Sequence, residues 1–143
     1  MSNYYNSEYL KPELELIMED EADIIEFASL LEKIRNLGNY SVDRRQMVLS
    51  DLIFWKSQIE NQRKQVEIRI KKLEALEYQK IYNKLKVISK PTNEQVRAEL
   101  ESTDFGEPYD TYQKMALVCQ KWSDILSDLY FTSQVSHKIL SNG

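Results

Sequence analysis

At 143 residues, with 42% hydrophobic and 29% charged positions, the chain is sized for one domain with a modest core and is not compositionally disordered. Three Gly and three Pro are too few for a many-turned β sandwich or barrel, one cysteine, Cys119, allows no intramolecular disulfide, and no apolar run reaches the roughly 20 residues that span a bilayer. The formal charge of −4 conceals −6 over residues 1–42, +6 over 43–90 and −4 over 91–143, so the basic middle calls for a polyanion, an acidic protein surface or the chain's own acidic ends.

The N-terminal MSNYYNSEYL has neither the basic start nor the apolar stretch of a signal peptide, and a cytoplasmic location without a membrane partner is expected. Pro12 then marks a helix entrance and Gly38-Asn39 follows a helix end. Between them Leu14, Ile17, Ile24, Phe27, Leu31, Ile34 and Leu37 recur at threes, fours and one seven, which is helical periodicity. Glu8, Glu13, Glu15, Glu19, Asp20, Glu21, Asp23 and Glu26 occupy the remaining face. Residues 1–40 therefore read as an acidic N-terminal helix or arm, whose charge could compete with a polyanion for the basic block.

Ser41 or Asp43 can cap a second helix, and no Gly or Pro interrupts it before Ile88. Leu52, Ile59, Val66 and Leu73 stand seven apart, with Trp55, Ile70, Ile81, Leu85 and Ile88 on or near the same stripe. Such a repeat calls for another long helix as packing partner. Ser89-Lys90-Pro91 ends the segment, and Thr92-Asn93-Glu94-Gln95 forms a capping box that opens a short helix to about Ser102. After a loop over residues 102–109, a final helix is predicted from Asp110 to Leu140. Its apolar face reads Met115, Val118 or Cys119, Trp122, Ile125 or Leu126, Leu129, Val135 and Ile139. Trp55 and Trp122 are expected to anchor contact between the two long helices. The architecture is all-α, two long amphipathic helices plus shorter ones, with residues 41–143 forming one helical domain. The wide last face predicts a helical homo-oligomer.

The residues argue against an enzyme. His137 is the sole histidine and lies five helical turns from Cys119 on one predicted helix, so the two cannot pair. They read as a buried thiol and a surface imidazole. No GxxxxGK[ST] or GxGxxG occurs, and Glu19-Asp20-Glu21 reads as a solvated face, so no cofactor or metal is expected.

The central helix is more informative. Its cations include Lys71, Lys72, Lys80, Lys84 and Lys86. Tyr78 and Tyr82 interleave with Lys80, Lys84 and Lys86 over nine residues that hold no acid. Single-stranded nucleic acid needs both parts: cations along phosphates and flat faces for unpaired bases. The competing reading is a long helix whose lysines keep it soluble and whose tyrosines pack on a neighbouring helix.

Residues 43–141 resemble the recombination mediators of T-even-type phages, the UvsY-like family. The resemblance is carried by a long helix with Trp55-Lys56 midway, a basic tyrosine-containing end from Lys80 to Lys86, a short helix, an acidic loop, and a last helix centred on Lys121-Trp122-Ser123-Asp124-Ile125-Leu126. The long acidic leader and a basic stretch made of lysines alone depart from the pattern. The resemblance implies a small all-helical oligomer that binds single-stranded DNA and helps load a recombinase onto strands covered by the single-strand-binding protein, in the host cytoplasm. DNA contact would fall on Lys80, Lys84 and Lys86 beside Tyr78 and Tyr82, with Lys71 and Lys72 on the same helix. Assembly would fall on Trp122, Leu126, Leu129 and Val135. The alternative is a helical scaffold, chaperone or adaptor that binds only protein.

Overall fold

A computed structural model describes residues 7–142, with side chains from Leu10 onward. The opening six residues, read above for a signal sequence, and the Glu8 carboxylate fall outside the described part. Among the described residues the chain is helical: α1 (Ser7–Leu14), α2 (Glu21–Arg35), a 3-10 turn (Leu37–Asn39), α3 (Val42–Lys86), α4 (Asn93–Glu101) and α5 (Glu107–Asn142). None of these helices is long and apolar enough to cross a membrane.

The N-terminal part differs from the expected single helix. Pro12 lies inside α1 rather than at its entrance, and the helix ends two residues later. Proline lacks the N–H that would continue the ladder, and its ring crowds the preceding turn. The Leu14 carbonyl then takes the N–H groups of both Ile17 and Met18, at 3.0 and 2.8 Å, which closes the segment. Asp20 flanks the start of α2 in an extended conformation, and Glu21 and Asp23 sit in its first turn. Carboxylates there face the positive end of the helix dipole, so the acid run is a start signal as well as a solvated face.

Elsewhere the local signals act as expected. The Ser41 hydroxyl accepts the Arg44 N–H at 3.3 Å and caps α3. At α4 the box is complete: Thr92 Oγ1 accepts from Gln95 N at 3.2 Å, and Thr92 N donates to Gln95 Oε1 at 2.9 Å. Helix α5 opens earlier than expected, at Glu107, with Pro108 in its first turn where a missing N–H costs nothing. Gly106, at φ +88°, supplies the left-handed residue before it.

The chain divides into two compact units, residues 1–63 with 117–143, and residues 64–116. In the first unit the leader is core, not a detachable arm. Leu10, Leu14, Ile17, Met18, Ile24, Phe27, Leu30 and Leu31 are all buried. Phe27 lies between the two tryptophans, edge-on to Trp55 at 5.5 Å and to Trp122 at 5.3 Å. The tryptophans therefore meet α2 through this ring. Glu13 ties α1 to α5 by accepting the Trp122 indole N–H at 2.6 Å and pairing with Lys121 at 2.9 Å. In the second unit Val66, Ile70 and Val96 form the buried centre. The seven-residue stripe holds through Leu52, Ile59 and Val66 and fades to a half-buried Leu73. Ile88, expected on that stripe, lies beyond the helix end and is exposed.

Candidate nucleic-acid interface

The basic helix end belongs to the second unit, and side-chain azimuth decides what it can present. At 100° per residue, positions two apart on a helix point roughly 160° away from each other. Tyr78, Tyr82 and Lys86 therefore share one edge of α3, whereas Lys80 and Lys84 occupy the opposite one. The five residues thus divide between two edges of α3. Lys80 is also held by Glu77, three residues before it, at 3.3 Å. Tyr78 is half-buried and donates its hydroxyl proton to Asn93 Oδ1 at 2.6 Å, so it staples the α3 end to the start of α4.

A different set shares the solvent side. Taking Tyr82 as the reference, Lys64, Ile68, Lys71, Lys72, Ala75, Gln79 and Lys86 fall within a sector roughly 100° wide. All of these are exposed, and Tyr82 is half-buried. No acid lies in that sector: Glu67, Glu74 and Glu77 point outside it. Lys64, Lys71, Lys72 and Lys86 are engaged in no ion pair among the described residues. From Lys64 to Lys86 the face runs about 33 Å at 1.5 Å per residue. Lys71 and Lys72 share this face with Lys64. Counting lysines along the chain misses this grouping; sorting them by azimuth finds it. Arg69 lies beside the sector, with its guanidinium 5.7 Å from the Tyr112 ring centre.

The residues expected at a subunit contact separate in a similar way. Trp122 and Leu126 have no exposed surface within the single chain, so they are core residues with nothing left for a second subunit. Leu129 is half-buried, and Val135 is exposed. Phe131, Val135 and Ile139, four apart along α5, all face outward.

The two residues weighed for catalysis sit apart. Burial pushes the Cys119 thiol up to about 11, against a smaller opposing pull from Arg63. At neutral pH this is a protonated, inert sulfur. His137 is half-buried rather than a surface imidazole: its Nδ1 accepts from Arg45 Nε at 3.1 Å. The buried Arg45 also donates to the Tyr40 carbonyl at 2.7 Å and to Ser141 Oγ at 3.2 Å, and so braces the start of α3 against the end of α5. Among the described residues no group of three His, Cys, Asp or Glu side chains could hold a metal ion.

Comparison with protein-family models, with curated proteins and with solved structures finds no match for this chain.

Proposed function

We propose that this chain is a non-enzymatic protein that binds single-stranded DNA and serves as a recombination mediator, helping to load a recombinase onto strands held by a single-strand-binding protein. The observation that supports strand binding is the acid-free face of α3, where four lysines with no ion pair among the described residues run alongside Tyr82. The mediator role rests on the resemblance of residues 43–141 to the UvsY-like proteins. Phosphates would meet Lys64, Lys71, Lys72 and Lys86 as diffuse, counterion-releasing contacts, and Tyr82 offers a ring on which a base can stack. One such face is a weak site. A homo-oligomer would multiply it, because tethered copies raise the effective concentration of the next contact. With Trp122 and Leu126 committed to the core, the outward Phe131, Val135 and Ile139 are the assembly stripe in this reading.

The test is the anisotropy of a labelled oligothymidylate titrated with the full chain over a range of salt. Log K should fall linearly with log salt at about −0.7 per phosphate neutralised. Tyr82→Ala should lose affinity that persists at high salt, since stacking is little screened. Binding that is absent, or independent of salt, would favour an adaptor that binds only protein.

A further inference from the structure

We propose that the concavity between α3, the end of α4 and the start of α5 binds a guanine base, carried by a single strand or by a free nucleotide. It measures about 310 Å³ and is lined by Glu74, Arg97, Leu100, Glu101, Phe105 and Tyr109. That volume is at the small end of the range for ligand sites, about 300–1,000 Å³. All six residues belong to the second unit. Phe105 and Tyr109 are half-buried and stack on each other, with ring centres 4.3 Å apart and an interplanar angle of 22°. Hydrogen bonds hold both rings in place. Asp104 Oδ1 accepts the Gly106 N–H at 2.9 Å in the turn before α5, and the Tyr109 hydroxyl accepts from Gln113 Nε2 at 2.9 Å. A fixed pair of stacked rings in the wall of a recess is a platform to which another flat ring can be added.

The charged residues of the lining select that ring. Arg97 and Glu101 stand one turn apart on α4, and neither joins an ion pair among the described residues. The half-buried Glu74 carboxylate also has no ion pair there. Two carboxylates work against a bare anion, and Arg97 in the same wall works against a cation. A neutral ring that donates hydrogen bonds along its edge, with one phosphate attached, suits both signs. An ionised carboxylate only accepts, so it takes two parallel hydrogen bonds only from an edge with two adjacent donors. Among the bases of DNA, guanine alone has that edge, in N1–H and the exocyclic amino group at C2. Adenine and cytosine set a ring acceptor beside their amino group, and thymine flanks its single N–H with carbonyls. Glu74 therefore takes the guanine edge, the stacked rings take its face, and Arg97 takes its phosphate. The inference does not rest on strand binding, because a free nucleotide reads the site directly.

The probe is guanosine 5′-monophosphate, titrated into the full chain by isothermal calorimetry beside adenosine 5′-monophosphate, guanosine and arginine amide. The guanine nucleotide should bind at least about tenfold more tightly than the adenine nucleotide, the discrimination expected of one bidentate pair. Glu74→Gln should invert this preference, because an amide sets one acceptor beside one donor and so matches the edge of adenine. A gain of adenine affinity is a result that a misfolded variant cannot give. Phe105→Ala should weaken both nucleotides alike, by about fivefold or more, since stacking is indifferent to the base. Arg97→Ala should bring the guanine nucleotide down to the level of guanosine. Failure of the guanine nucleotide to bind, equal binding of the two nucleotides, a guanine preference that survives Glu74→Gln, or tighter binding of arginine amide would each overturn the proposal. An oligothymidylate with one central guanine separates the two sources. Tighter binding than the all-thymine strand assigns the site to a base on a strand, and equal binding assigns it to the free nucleotide. If the chain binds no oligonucleotide at all, the free nucleotide still decides the site.

Discussion

Phe27 is the residue on which the first unit turns. Its ring meets both tryptophans edge-on, an arrangement that adds about 0.5–1.5 kcal/mol per pair beyond area burial. Phe27→Ala is expected to cost roughly 3–5 kcal/mol, read as a lowered denaturant midpoint. Trp122→Ala should cost a similar amount, and sedimentation should show no change in particle size, because the ring is spent within one chain. The periodic pattern placed Phe27 and both tryptophans on apolar faces. It could not show that one ring joins the other two, since that packing depends on how three helices meet. Cys119 provides a pH test. Its folded-state value, about 11, lies above the ordinary 9.0, so the fold favours the protonated thiol. That contribution is complete below pH 9 and is lost as pH rises through 11. Stability should therefore fall across this window, and Cys119→Ala should fall less steeply. Subtracting the two urea-midpoint profiles isolates the contribution of the thiol.

Among the elements, those whose ends carry their own chemistry were legible before the structure. Ser41 and the Thr92–Gln95 box start helices because a side chain at the right spacing satisfies an orphan N–H, which is a local property. Thr92→Ala should remove about 0.5–2 kcal/mol, measured by urea unfolding. The division of the leader into α1 and α2 was not legible, because Pro12 fits a helix entrance as well as a last turn. Its consequence is larger than a boundary error. An acidic arm could be deleted without harm, whereas this leader supplies Leu14, Phe27 and Leu31, all without exposed surface, to the core of the first unit. Deleting residues 1–38 should abolish the cooperative melt of that unit, seen by calorimetry, and not simply tighten DNA binding.

At the scale of the whole molecule, the −6 and +6 blocks read from the sequence mark a real asymmetry, but block charge says nothing about direction around a helix. Tyr78, Lys80, Tyr82, Lys84 and Lys86 look like one cluster when written in a line. On α3 they divide between two edges, and Lys80 is already paired to Glu77. One acid-free sector of α3 instead gathers Lys64, Lys71, Lys72, Tyr82 and Lys86. On the last helix, whose wide apolar face suggested a helical oligomer, burial divides that face along its length. Cys119, Trp122 and Leu126 are covered within the chain, whereas Phe131, Val135 and Ile139 stay exposed.

The most direct test of strand binding by the acid-free face compares two double variants by salt titration of a single-stranded oligonucleotide. Lys71→Ala with Lys72→Ala removes two cations from that face, and Lys80→Ala with Lys84→Ala removes two from the opposite edge. All four side chains are exposed, so neither pair should disturb the fold. The first pair should lower the magnitude of the salt slope by about 1.4, at roughly 0.7 for each phosphate left without its lysine, while the second should leave the slope unchanged. Equal reductions from the two pairs, or a reduction confined to Lys80 and Lys84, would contradict the assignment of this face to the strand.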